Sequence, residues 1–353
     1  MFSALPFSYM FFFMIIFGSL FSMSSCHWLG IWAGLEINLI GFLPLLVYQK
    51  SMSESESAVK YFVVQALGSS LLIFGSLSGY NLSFSWESLN FVENLSYLSL
   101  LVIGSSLVMK MGMFPFHFWF PSVMAGLPWL SCLLLTTWQK VAPLFLISSL
   151  FELNEMHWFF LMFCLASVGS SLIGGIGGLN QTQIRALLAY SSIGHLGWIT
   201  FALIHSNWAM KVYLSIYILI SFCIFLSLWH MNLGGIKNLN NLVFSNYFGF
   251  SMMIMLLSLG GLPPLLGFIS KWNVIMASVS LSSWFFIFLL ILGSLTSLFY
   301  YLNLFFSLFF NWLKKAGLNA TGLKSENKLV VFSLLLNVLG GFVFVLGNLV
   351  WGM

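Results

Sequence analysis

Four ionisable residues stand inside runs that are otherwise apolar. They are Glu36 in Leu35-Glu36-Ile37-Asn38-Leu39, Lys110 at the head of Lys110-Met111-Gly112-Met113-Phe114-Pro115-Phe116-His117-Phe118-Trp119-Phe120-Pro121, Lys140 in Thr137-Trp138-Gln139-Lys140-Val141-Ala142-Pro143, and Lys271. At about 2.5–3.5 kcal/mol for each charge at the centre of a bilayer, the four would cost on the order of 10–14 kcal/mol if left unpaired. A stable protein pairs or hydrates them, and groups held in that way carry protons or small ions. Burial disfavours an ammonium and a nearby carboxylate favours it, so moving or neutralising Glu36 can switch Lys110 between holding and releasing a proton. His117 and His195 titrate near neutrality and can relay protons between lysines. The plain alternative for each residue is an ion pair or hydrogen bond that fastens helices together. Lys60 differs because it lies only three residues into its span and can extend to the membrane surface. Anchor and pathway residue are both open for it.

The elements that must hold these groups follow from composition. The chain has 353 residues, 60% of them hydrophobic and 6% charged, with a mean hydropathy of +1.01. A soluble domain carries about 25% charged residues, so an ordinary globular protein is excluded. Apolar runs of membrane-spanning length recur throughout, which predicts an all-α polytopic membrane protein. Eleven spans are expected: Phe7–Ser22, Leu29–Val47, Ser57–Leu77, Leu95–Pro121, Pro128–Leu150, Trp158–Ile176, Ile184–Ile204, Trp208–Trp229, Phe248–Val279, Leu281–Phe310 and Leu329–Trp351. The first has no basic flank and no cleavage site, so it is expected as a retained span with no transit peptide.

Two of the spans are too long. At 1.5 Å per residue, Leu95–Pro121 and Phe248–Val279 would reach roughly 40 Å and 48 Å if straight, against a hydrocarbon core of about 30 Å. Each contains a break, at Met111–Pro115 and at Gly260–Pro264, and each has a lysine near it, Lys110 and Lys271. The two sit five spans apart. Residues 1–150 and 151–310 are therefore expected as two five-helix repeats, inverted because five is odd, with broken fourth and ninth helices. Residues 311–353 would supply a loop and the last span.

Counting loops alternately, one side holds the N-terminus with Lys50, Arg185, Lys237, Lys314, Lys315, Lys324 and Lys328. The other holds Lys211 with Glu87, Glu93, Glu152 and Glu155. That asymmetry predicts an N-terminus on the cytoplasmic or matrix face and a C-terminus opposite. Cys26, Cys132, Cys164 and Cys223 are too scattered for a zinc or iron–sulfur site and are expected as buried thiols. The Gly174-Gly175-Ile176-Gly177-Gly178 cluster lacks the spacing of a nucleotide-binding loop and is expected to serve helix packing or a turn.

At these residues the sequence resembles a known family. Leu35-Glu36-Ile37-Asn38, Val59-Lys60-Tyr61-Phe62, the 110–121 stretch, Trp138-Gln139-Lys140, Gly178-Leu179-Asn180-Gln181-Thr182, Ser191-Ser192-Ile193-Gly194-His195 and Gly261-Leu262-Pro263-Pro264-Leu265-Leu266-Gly267-Phe268 occur in order. Together they look like the antiporter-like membrane subunits of respiratory complex I, NADH–ubiquinone oxidoreductase, in its animal mitochondrial form. Relatives of that family include Mrp-type sodium/proton antiporters. The resemblance implies eleven helices, a coupling pair Glu36–Lys110, a connecting Lys140 and a second-half Lys271 near the exit. It implies a proton-translocating subunit in the mitochondrial inner membrane, with neighbouring membrane-arm subunits and lipids as partners and no nucleic acid. NADH, FMN, iron–sulfur clusters and ubiquinone would belong to other subunits, with no cofactor or metal on this chain. An Mrp-type antiporter subunit and a purely structural scaffold are the competing expectations.

Overall fold

The computed structural model describes residues 8–47, 51–83, 97–153, 157–231, 246–279, 283–316, 337–338 and 340–341. All the regular elements described are α-helices: α1 (Ser8–Ser24), α2 (Trp28–Leu46), α3 (Met52–Ser83), α4 (Tyr97–Met111), α5 (Trp119–Gly126), α6 (Trp129–Thr136) and α7 (Trp138–Leu153) come first. Then follow α8 (His157–Gly178), α9 (Ile184–His205), α10 (Asn207–Met231), α11 (Asn246–Gly260), α12 (Leu266–Ser278) and α13 (Trp284–Ala316). A helix is the form such apolar sequences take in lipid, because it satisfies every backbone polar group within one segment. Embedded serines follow the same rule. Ser22, Ser106, Ser170, Ser191 and Ser258 each donate their hydroxyl to the carbonyl three residues back, so they cost little inside an apolar helix.

Seven helical stretches among the described residues are long and apolar enough to cross a membrane: Trp28–Leu46, Met52–Gly79, Trp129–Glu152 (α6 and α7 together), His157–Gly178, Ile184–His205, Asn207–Trp229 and Trp284–Phe310. Shorter apolar helices occupy Ser8–Ser24, Leu98–Met111 and Ser251–Gly260. The expected span Leu329–Trp351 lies outside the described residues except for 337–338 and 340–341, as do Lys50, Lys237, Lys324, Lys328, Glu87, Glu93 and Glu155.

Both overlong spans are interrupted where glycine and proline predict it. α4 ends at Met111 and α5 begins at Trp119; α11 ends at Gly260 and α12 begins at Leu266. The two stops share one backbone device. Gly112 (φ 72°) donates to the Val108 and Met109 carbonyls at 3.1 Å, and Met113 donates to Val108 at 3.2 Å. Gly261 (φ 81°) donates to Leu257 and Ser258, and Leu262 donates to Leu257 at 3.3 Å. This is the Schellman closure, which needs a residue in the left-handed region and so selects glycine. In each case a cis X–Pro peptide follows, at Phe114–Pro115 and Pro263–Pro264.

A third interruption was not expected. The span Pro128–Leu150 is divided at Thr137 into α6 and α7. Pro143 cannot donate to the Gln139 carbonyl one turn before it, and the Thr137 hydroxyl takes the Leu133 carbonyl at 2.6 Å. Helical hydrogen bonding is thus weakened on either side of residues 138–142.

The chain divides into two compact units between Ala166 and Ser167. In the first, α1 packs on α2 and α7, and α3 packs on α2, α4 and α5. In the second, α10 packs on α9, α11 and α12, while α13 packs on α9 and α11. The Gly174–Gly178 cluster is a packing surface of α8. A Cβ at Gly174 would meet the Gly194 backbone at 2.5 Å, and side chains at Gly177 and Gly178 would enter the Tyr190 and Tyr300 rings. The expectation of four buried cysteines is corrected in part. Cys132 and Cys164 are buried, Cys223 is half-buried, and Cys26 is exposed in the turn between α1 and α2.

Candidate functional site

In the first unit, Lys110 is the second-to-last residue of α4 and Lys140 the third of α7, so each borders a helix interruption. Both are buried, at 7% and 2% exposure. They line one small cavity together with Asn38, Tyr61, Gln65 and Gln139. Its room of about 20 Å³ suffices for one water molecule, which needs roughly 10–15 Å³. The sequence placed each lysine inside an apolar run; the fold brings the two to the same cavity.

The walls of that cavity explain how an interrupted helix is tolerated there. A helix end leaves carbonyls without intrahelical partners. Trp119 donates its indole N–H to the Met109 carbonyl at 3.2 Å, and Gln65 donates its amide to the Lys110 carbonyl at 3.2 Å. Neutral donors therefore close the α4 terminus. Lys140 Nζ lies 4.9 Å from the centre of the Phe120 ring, a contact worth more when desolvated. Asn38 and Gln139 exchange a reciprocal pair of amide hydrogen bonds at 2.8 and 3.0 Å, which clasps α2 to α7.

Glu36 sits one residue outside the cavity lining, after Leu35. No ion pair within 4 Å joins it to Lys110; among the described residues the pair that closes is Lys60–Glu56, at 2.6 Å. The Glu36 charge nevertheless acts on both Lys110 and Tyr61, and its Oε1 is buried with no hydrogen-bond partner. A carboxylate oxygen in that state is one that water or a proton would satisfy.

Lys60 is not brought to the cavity. Helix α3 begins at Met52, so Lys60 lies eight residues into it and not three, with its side chain 46% exposed beside Glu56. A solvent-facing i,i+4 pair of this kind contributes little. His117 lies in the segment between α4 and α5, packed 4.0 Å from the Phe118 ring centre, with Nδ1 3.2 Å from the Pro115 carbonyl oxygen. It is buried but does not line the cavity.

The second unit holds a different arrangement around a similar break. Lys271, in α12, reaches back across the interruption and donates to the Gly260 carbonyl at 2.9 Å. The lysine itself caps the C-terminal end of α11, where the helix dipole favours a cation. Lys110 precedes its break by two residues, whereas Lys271 follows Gly261 by ten. Lys271, His195, Ser191 and Tyr301 line a cavity with about 10 Å³ of room. His195 is buried, with Nδ1 3.0 Å from the Tyr213 hydroxyl oxygen and its ring 5.2 Å from that of Tyr217.

Sequence reasoning missed the parts played by Gln65, Trp119, Tyr213 and the Asn38–Gln139 clasp. Their only signal was polarity inside apolar runs, which neutral residues give weakly. Groups of three or more His, Cys, Asp or Glu that could hold a metal ion are absent among the described residues.

The comparisons with known proteins agree with this architecture. Residues 25–297 match the family model described as NADH:quinone oxidoreductase/Mrp antiporter, transmembrane. The chain is 40% identical over 342 residues to NADH-ubiquinone oxidoreductase chain 2 of Anopheles gambiae, covering 94% of this chain and 95% of that one. It is 37% identical over 295 residues to the same-named chain of Lumbricus terrestris, covering 83% and 84%. A chain of respiratory complex I from Thermus thermophilus shares the fold, with a TM-score of 0.77 at 24% identity over 98% of this chain and 78% of that one. Interrupted helices bordered by buried lysines, in a sequence this close to those relatives, mean that the chain belongs to the NADH:quinone oxidoreductase/Mrp antiporter transmembrane family, among its NADH-ubiquinone oxidoreductase chain 2 members.

Proposed function

We propose that this chain is a proton-translocating subunit of the membrane arm of NADH:ubiquinone oxidoreductase, moving protons through Glu36, Lys110, Lys140, His195 and Lys271. The observation that carries the reading is the pair of buried lysines, each beside a helix interruption, lining one water-sized cavity. Two ammonium groups there would repel with little water to screen them, so the cavity favours one shared proton over two. A single water between Lys110 and Lys140 supplies the transfer step. Glu36 acts as the bias on Lys110: its field is felt there without a direct ion pair, so a small movement of α2 changes the preference. His195 and Lys271 carry protons within the second unit. Lys60 and His117 are assigned peripheral roles, as a surface input and as a support for the first break.

In this reading the chain is a multi-pass protein of the mitochondrial inner membrane, with its N-terminus in the matrix. Residues 1–150 and 151–310 act as inverted repeats, supported by the shared Schellman closure at Gly112 and Gly261. Neighbouring membrane-arm subunits cover its outer helices, and the redox cofactors act on other subunits. The chain couples their chemistry to proton movement.

The test is Lys110→Met in the assembled complex, sealed in vesicles, with proton uptake and NADH oxidation measured together. Uptake and coupled oxidation are expected to fall at least tenfold while assembly stays normal. Full pumping with normal assembly overturns the role of Lys110. Loss of assembly with normal turnover of the residual complex supports a structural scaffold instead. Cation transport by the chain without NADH oxidation supports an Mrp-type antiporter.

A further inference from the structure

The last expected span belongs to neither proposed repeat, and the proton path gives it no part. Its described turn meets the second break on both sides. Asn337 is 1% exposed and donates its amide to the Ser258 hydroxyl oxygen at 2.9 Å and to the Met255 sulfur at 2.9 Å. One turn later, a Cβ at Gly341 would strike the Pro264 carbonyl oxygen, and one at Gly340 would lie 3.0 Å from the Leu266 side chain. Met255 and Ser258 belong to the end of α11, Pro264 to the connecting segment and Leu266 to the start of α12. Residues 337 and 341 are i,i+4 neighbours on one side of a helix, so a single turn crosses the interruption.

The direction of the amide contact follows from Ser258. Its one hydroxyl proton goes to the Met255 carbonyl at 2.7 Å, and a carbonyl can only accept. The Ser258 oxygen is left to accept, so the group of Asn337 that faces it is the NH2. Both amide hydrogens are thus used, on Ser258 and on Met255. Ser258 is also the residue on which the break is built. Its carbonyl accepts from Gly261 at 3.0 Å in the Schellman closure. It also lies so close to Gly267 of α12 that a Cβ there would strike it. The Gly260 carbonyl capped by Lys271 is two residues further on.

We infer that Asn337 and Gly341 brace the second break from outside the repeat, holding the end of α11 where Lys271 of α12 can reach the Gly260 carbonyl. Both are positioning residues. They touch no transferred proton and act through Lys271. Glycine serves at 341 because two backbones approach there, as small residues allow between membrane helices. Asparagine serves at 337 because the contact needs a donor. At the first break the closing donors are Gln65 and Trp119. The sequence offered only an asparagine and a glycine pair inside an apolar run.

This inference rests on Lys271 carrying protons, and the experiment keeps the two claims apart. The assembled complex is compared as wild type, N337L, K271M and N337L/K271M. Backbone hydrogen exchange is followed in peptides covering residues 257–266 and, as a control, 108–118. NADH-driven proton uptake in sealed vesicles is normalised to intact complex. N337L is expected to speed exchange at 257–266 about three- to tenfold, as loss of an interhelical hydrogen bond can, and to leave 108–118 at the wild-type rate. Uptake should fall by a similar factor, and the double variant should fall no further than K271M. Wild-type exchange at 257–266 overturns the brace. Equal acceleration at both breaks also overturns it, because general loosening gives that result. Faster exchange with wild-type uptake, or a double variant below K271M, overturns the positioning role. Wild-type uptake in K271M removes Lys271 from the path, and the positioning role falls with it, while exchange still decides the brace. If N337L does not assemble, S258A decides. It removes the acceptor, keeps the helix and should change exchange and uptake in the same sense; unchanged exchange overturns the inference.

Discussion

Lys271 and Lys110 show how the same residue type is made tolerable in two ways. Lys271 donates to the Gly260 carbonyl, so its charge offsets the negative end of α11. Lys110 is relieved of that duty because Gln65 and Trp119 close the end of α4. The two should respond differently to substitution. Lys271→Met removes a cap and is expected to lower the stability of the complex by about 1 kcal/mol as well as its pumping. Lys271→Arg keeps a cation and a donor, but a guanidinium does not release its proton, so stability should stay near wild type while pumping falls. Thermal denaturation of the purified complex beside NADH-driven proton uptake checks both. Equal stability loss in the two variants would refute the capping role. The charges themselves were legible from sequence, since a lysine in an apolar run stands out. Their partners were not, because Gln65 and Trp119 are neutral and lie 45 and nine residues from Lys110.

At the scale of helices, every intramembrane lysine of the proposed pathway lies at or reaches an interruption: α4–α5 for Lys110, α6–α7 for Lys140 and α11–α12 for Lys271. Broken backbone frees carbonyls and admits water, and both lower the cost of a buried cation. Gly112 and Gly261 make two of these breaks possible, and any other residue there meets the left-handed backbone with a Cβ. Gly112→Ala and Gly261→Ala should each destabilise by about 1–2 kcal/mol from that strain alone. The new methyl at residue 261 would also lie 2.9 Å from Lys271 Nζ, and at residue 112 it would lie 3.1 Å from Trp119 and Phe120. Gly261→Ala should therefore reproduce the pumping defect of Lys271→Met. Normal pumping would show that the cap does not matter to transfer. The Asn38–Gln139 clasp makes a separate prediction. Asn38→Leu strands the half-buried amide of Gln139 and should cost about 1 kcal/mol, whereas Asn38→Leu with Gln139→Leu should cost less than the two single changes summed. Melting temperatures of the four forms test this. The first and third breaks could be read from Gly and Pro, but the division at Thr137 could not. Pro44 sits inside the continuous α2, so a proline such as Pro143 does not by itself announce a break.

For the whole chain, the exposed apolar side chains of α1 and α13, among them Phe13, Phe17, Phe285, Phe288 and Phe299, are those of a protein whose solvent is lipid and neighbouring subunits. The positive-side assignment then gives a test of orientation. Cys26 is exposed in the turn after the first apolar helix, so with the N-terminus in the matrix it faces the intermembrane space. A membrane-impermeant maleimide should label it from that side only, while buried Cys132 and Cys164 stay unlabelled until denaturation. Labelling from the matrix side would reverse the topology.

The sequence by itself determined the class of the protein, most helix positions, two of the three breaks and the identity of the buried charges. Those properties depend on composition, period and local backbone chemistry, which neighbours along the chain decide. Only the tertiary structure decided which charges meet. Lys110 and Lys140 share a cavity, Lys60 turns outward to Glu56, and Lys271 folds back onto Gly260. Such pairings depend on helix crossing and on neutral donors far away in sequence, and the energies of those contacts leave no periodic mark in the chain.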